Sequence, residues 1–74
     1  MKCISDHAEV LLIYYCLDAH TMDGKEKYAT LEDATERAKD YVKEYNESVD
    51  IYQVRVIQDG NRIFVREFYV DCII

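Results

Sequence analysis

Basic residues are scarce in this chain: nine Lys and Arg stand against fifteen Asp and Glu, for a net charge of -6. A surface of that sign repels phosphate backbones, which disfavours nucleic acid as a partner and favours a basic protein. Glycine is scarcer still, with two in 74 residues, and no phosphate loop, dinucleotide fingerprint or nucleophile elbow can be drawn. Paired catalytic carboxylates are missing as well, so no enzyme is expected. Three cysteines, Cys3, Cys16 and Cys72, are an odd count that cannot complete a disulfide framework, and a reducing cytoplasm is the expected setting. The longest apolar run, residues 10–17, is far too short to span a bilayer. Residues 1–9 place acids and a His where the apolar core of a secretory signal would sit. No membrane association is expected.

What is present is one small domain, spanning residues 1–74. For a mass of 8.8 kDa, surface scaling gives about 12,800 Å² exposed when unfolded and about 4,800 Å² when folded. Domains that bury so little often recruit a partner, a metal or a second copy of themselves. Half of the residues are hydrophobic, enough to leave an apolar face for a homodimer.

The clearest local signal is Asp59-Gly60, set between two runs of β-branched and aromatic residues at 51–57 and 63–70. Asp-Gly in that setting marks an antiparallel hairpin. With Asp59 and Gly60 as the loop, Val56 faces Ile63, Val54 faces Val65 and Tyr52 faces Glu67, a natural seat for a helix. The other face then pairs Arg55 with Phe64, Gln53 with Arg66 and Ile51 with Phe68. The helix starts at Thr30, whose hydroxyl can cap an amide one turn in. Leu31, Ala34, Ala38, Tyr41, Val42 and Tyr45 fall on one stripe of the 3.6-residue period, and Asn46 suits the left-handed stop. Residues 10–17 (VLLIYYCL) are continuously apolar and read as a strand covered on both faces, by the helix on one and by a partner, a second copy or the chain termini on the other. Residues 18–29 read either as a loose loop or, as the size of a compact domain favours, as a turn at Asp23-Gly24 followed by a short return strand over 25–29. The expected fold is α+β, two-layer, a single helix packed on a three- or four-stranded mostly antiparallel sheet, order β-(β)-α-β-β.

Four residues have metal-ligand chemistry at regular spacing: Cys3 and His7, then Cys16 and His20. Two Cys and two His can hold zinc, but Cys and His four apart on a strand lie about 13 Å from each other. Asp18, His20 and Asp23 cluster on the polar loop and are the candidates for a small ligand- or metal-binding module. No nucleophile set accompanies them, and the expectation is no metal and no cofactor. Two surfaces remain for partners. The helix presents Glu32, Glu36, Asp40 and Glu44 on its solvent side, suited to a basic protein. The sheet presents Tyr15, Phe64 and Phe68 beside Arg55, Arg62 and Arg66, which suits an aromatic hot spot and, as an alternative, base stacking by RNA.

In length, negative charge, tyrosine richness and helix-on-sheet plan the chain resembles the short acidic proteins of phages and mobile elements, anti-CRISPR proteins and host-takeover inhibitors among them. That resemblance implies a stoichiometric inhibitor that occludes a basic surface of a host protein. It carries over no individual residue. The functional expectation is a small acidic, non-enzymatic protein-interaction module.

Overall fold

The computed structural model describes residues 8–74, so Cys3 and His7 lie outside the described residues. In chain order the elements are β1 (Ala8–Asp18), β2 (Lys27–Tyr28), α1 (Leu31–Tyr45), β3 (Val49–Asp59) and β4 (Arg62–Ile73). Every strand pair is antiparallel, in the order β2-β1-β3-β4. With α1 laid on one face, this is the expected two-layer α+β arrangement.

Local chemistry sets the helix ends. Thr30 is extended (φ -126°, ψ 154°) and its Oγ1 accepts from the Asp33 amide at 3.1 Å, satisfying one of the orphan donors of the first turn. At the other end Asn46 takes the left-handed conformation (φ 54°) and its N–H donates to the Val42 carbonyl at 2.8 Å. Ala34, Ala38 and Tyr41 form the buried stripe, while Leu31 and Tyr45 at its two ends stay exposed. The two alanines let the helix axis approach the sheet closely.

The hairpin forms at the expected signal but one position later. Asp59 pairs with Arg62, leaving Gly60 and Asn61 as the loop. Gly60 has φ 65° and Asn61 has no positive φ, the pattern of a type II′ turn with glycine first. The register therefore moves by two residues from the sequence expectation. Val56 faces Val65 and Val54 faces Glu67, while Arg55 faces Arg66 and Gln53 faces Phe68. Tyr52 meets Tyr69, and a bulge beyond it sets Ile51 against Asp71. A shift of two keeps each side chain on its own face.

The helix occupies the face opposite to the expected one. Its buried stripe packs on Leu17, Val49 and Ile51, with Tyr15, Met22, Tyr28 and Ile73 around them. Only residues 46–48 separate α1 from β3, so the helix is held over the first residues of β3, where Val49 and Ile51 are the inward pair. Val56, Ile63 and Val65 lie toward the turn and on the far side.

Length explains what stays open. Fifteen helical residues span about 22 Å, whereas the 11 and 12 residues of β3 and β4 run about 37–40 Å. The molecule accordingly measures 44 × 23 × 19 Å, with a radius of gyration of 14.5 Å against about 11 Å for a compact chain of this length. Only the end of β1 is sealed: Cys16 and Leu17 are buried, while Val10, Leu11, Leu12 and Ile13 are 41–54% exposed. The helix thus covers only the second half of the run at 10–17, and within one chain the first half is left open on both faces. The return strand shrinks to two residues, which pair Tyr28 with Tyr15 and Lys27 with Cys16. One further bond, from the Leu17 amide to the Glu26 carbonyl at 3.1 Å, extends that pairing.

Candidate functional site

Beyond the end of α1, on the helix side of the sheet, alternation brings together Arg55 and Ile57 of β3 with Arg62, Phe64, Arg66 and Phe68 of β4. Arg55 and Arg66 are direct cross-strand neighbours, and like charges so placed repel. They are drawn apart onto different rings. The Arg55 guanidinium lies 4.7 Å from the Phe68 centroid, and Arg66 lies 5.6 Å from that of Phe64, which Arg62 also approaches at 5.4 Å. Each contact is a cation–π interaction that keeps the guanidinium at the surface. Ile57, between Val10 and Phe64 in register, is buried beneath this layer.

Tyr15 is placed apart from the two phenylalanines. It packs, half-buried, against the core under α1, and its hydroxyl accepts from Gln53 Nε2 at 3.0 Å. Gln53 Oε1 in turn accepts from Arg55 Nε at 2.7 Å. A polar relay thus runs from the core tyrosine to the guanidinium stacked on Phe68, and it holds Arg55 in position rather than offering Tyr15 to a partner. Sequence reasoning sets Arg55 beside Phe68 on this face but pairs Gln53 with Arg66, because its register is off by two. In the observed register Gln53 faces Phe68 directly, and the i, i+2 spacing puts Arg55 on the same side.

The far face of the same end is apolar. Leu12, Ile63 and Val65 are 54–64% exposed and lie around Val56 in the ladder. Toward the covered end this face turns aromatic: Tyr52 and Tyr69 meet edge to face with centroids 5.7 Å apart, and Lys25 and Lys27 lie over Tyr52 and Tyr14. Val54 is buried within it. On the helix, Glu32, Glu36, Asp40 and Glu44 are all exposed, so the acid row stands free as expected.

The loop candidates are split between two shallow cavities. Asp18 and His20 line one of about 450 Å³ together with Glu47 and Asp50, and Asp23 lines another of about 490 Å³ with Glu26, Arg37 and Tyr41. Much of their polar chemistry is already engaged. Glu47 accepts from the Thr21 amide at 2.7 Å and from its hydroxyl at 2.8 Å, and the Thr21 hydroxyl also meets Tyr41 at 2.9 Å. The amide bond holds the Glu47 carboxyl below the usual carboxylate range. Glu26 accepts from the Tyr28 hydroxyl and from Arg37 Nε, the latter at 3.1 Å, and these bonds lower its pKa in the same way. These contacts fasten the loop to the helix. Among the described residues no group of three His, Cys, Asp or Glu lies together in a way that would hold a metal ion. Burial pushes the Cys16 thiol up, and Cys72 is pushed up chiefly by its hydrogen bond with Asp50, so neither is poised as a thiolate.

No described helix is long and apolar enough to cross a membrane. Comparison with protein families, with curated proteins and with solved structures finds no match to this chain.

Proposed function

We propose that the protein is a non-enzymatic binding module whose protein partner occupies the half of the sheet that α1 leaves uncovered. The observation that carries this reading is the open end itself. Val10, Ile13 and Phe68 stay exposed on the helix side and Leu12, Ile63 and Val65 on the far side, in a chain whose remaining surface is strongly acidic. Isolated apolar residues at a surface need no explanation, but a contiguous set does. Arginine stacked on phenylalanine is the composition of an interface hot spot, which favours the helix side as the contact. Capping of both rings by guanidinium groups leaves them poorly available for stacking bases, so RNA is the weaker reading. The acid row of α1 adds long-range attraction for a basic partner and so acts on encounter rate more than on residence time. Occlusion of a basic surface on a host protein is the form of inhibition compatible with that row.

The test is capture from an extract of the source cells with wild-type, Phe68→Asp, Val65→Asp and Glu36→Lys/Asp40→Lys baits. The proposal expects one protein that is lost with Phe68→Asp, kept with Val65→Asp, and captured more slowly and with altered salt dependence by the double lysine bait. Loss with Val65→Asp alone would move the contact to the far face. If wild-type bait retains nothing above a blank resin, the binding reading fails.

A further inference from the structure

The two edges of this sheet are built in opposite ways. On the β1 side, two-residue β2, with Lys27 in it and Lys25 just before it, covers Tyr15 and Cys16, and the bulge at Leu11 breaks the remaining uncovered edge of β1; short strands, lysines and bulges are the usual protections against pairing with another chain. The β4 edge has 12 residues, with no proline and no lysine. Because Asp59 and Arg62 close a two-residue loop, they form a hydrogen-bonded pair, and the backbone groups of Phe64, Arg66 and Phe68 also turn toward β3. Those of Ile63, Val65, Glu67 and Tyr69 turn outward along the open edge.

We infer that β4 pairs antiparallel with β4 of a second copy about a two-fold axis at Phe68, joining two four-stranded sheets into one. This goes beyond the binding proposal, since it uses the strand edge and a partner of known sequence. The argument is one of complementarity. In a symmetric antiparallel pair, residues directly opposite must share a face, so the axis passes through one residue. An axis at Arg66 sets two arginines against each other, and one at Glu67 sets two glutamates against each other. An axis at Val65 leaves much of the later part of β4 beyond the partner's strand.

At Phe68 the strand is used from Ile63 to its end. Phe68 meets its own copy and Glu67 meets Tyr69. The bulge residue Val70, which is skipped in the pairing with β3 between Tyr69 and Asp71, is skipped here too. Beyond it Arg66 meets Asp71, Val65 meets Cys72, Phe64 meets Ile73 and Ile63 meets Ile74, each twice by symmetry. The facing assignments agree with the ladder to β3, where Asp71 and Ile73 lie on the helix side with Arg66 and Phe64, and Cys72 lies on the far side with Val65. Arg66 and Asp71 find opposite charges, Glu67 finds a tyrosine hydroxyl, Arg62 lies beyond the pairing, and Phe64, Val65, Phe68 and Ile63 each find an apolar neighbour. The outward backbone groups of Val65 and Glu67 fall opposite those of Cys72 and Tyr69; the Cys72 amide, which donates to Asp71 Oδ1 at 2.8 Å in the single chain, exchanges that acceptor for the Val65 carbonyl as Asp71 turns to Arg66.

Sedimentation across protein concentration tests the seam, and charge exchange tests its register. Wild type is expected to sediment as a dimer. R66D and D71R each set like charges across both symmetric positions and should each raise the dimer dissociation constant about tenfold or more. Mixed in equal amounts they restore both oppositely charged pairs, so a heterodimer of near wild-type affinity should form. Val65→Pro removes an outward N–H that the protein's own ladder does not use and should yield a folded monomer by circular dichroism. A wild type that is monomeric at all concentrations overturns the inference, as does a dimer untouched by R66D and D71R. Failure of the two variants to rescue each other overturns the Phe68 register even if Val65→Pro does not fold. A monomer that still captures a partner from extract leaves the binding proposal standing, and a dimer that captures nothing does the reverse.

Discussion

At one end of the sheet Leu17, Val49 and Ile51 are sealed from solvent; at the other Leu12, Ile63 and Val65 are more than half exposed. The residue types are the same, and so is their density in the sequence. What separates the two ends is the reach of a 15-residue helix over strands nearly twice its length. Apolar patterning therefore marks where a strand can be buried, and the covering element decides which part becomes core and which becomes available to another molecule.

The sharpest way to break this comparison is a matched pair on one strand. Leu17→Ala removes a fully buried side chain and should cost about 2–5 kcal/mol, whereas Leu12→Ala, half-exposed, should cost about 1 kcal/mol or less. Urea denaturation measures both, and equal losses would show that the open end is structurally core. Next in size is Ala38→Leu. Ala38 has no exposed surface where α1 meets the sheet, so the larger side chain should cost about 1–3 kcal/mol through displacement of the helix, seen as a lower melting temperature. A neutral result would mean that the helix rides loosely even over its own end.

The smallest effect is electrostatic and belongs to the loop at the covered end. The Thr21 amide bond depresses the Glu47 pKa, so its contribution is fully present at neutral pH and is lost as pH falls through the folded-state value. The Thr21 amide resonance should titrate with a midpoint below that of an ordinary glutamate, and Glu47→Gln should abolish the titration. A Thr21 amide indifferent to acid would free this loop from the covered end.

Much of the fold could be read from residue order. The Asp59-Gly60 signal gave the hairpin, Thr30 and Asn46 gave the helix ends, and the stripe through Ala34, Ala38 and Tyr41 gave its buried side. The register was misread because Asp-Gly-Asn satisfies two turns. Asp59-Gly60 suits the type with glycine second, and Gly60-Asn61 suits the type with glycine first. Local chemistry barely distinguishes them, and pairing along the whole ladder decides. The seat of the helix was misread for a related reason. Val54, Val56, Ile63 and Val65 look like the better apolar face, but the short link at residues 46–48 ties α1 to Val49 and Ile51. Glu32, Glu36, Asp40 and Glu44 were legible as exposed because helical period alone places them. Tyr15 was not, since its surroundings depend on β2 and on Gln53, some 38 positions away.

The neighbour order β1-β3 also bears on how the chain is made. A ribosome releases Leu12 long before Val56, the residue it must face, and at roughly 5–20 residues per second the interval is on the order of several seconds. During that time the most apolar segment of the molecule has no strand to join, and α1 emerges before the surface it covers is complete. The hairpin of β3 and β4 is local and can close within about 10 μs of its appearance. Biosynthesis thus builds the waiting partner last, and the nascent VLLIYYCL segment is the stretch most exposed to chaperones and to mispairing on crowded polysomes.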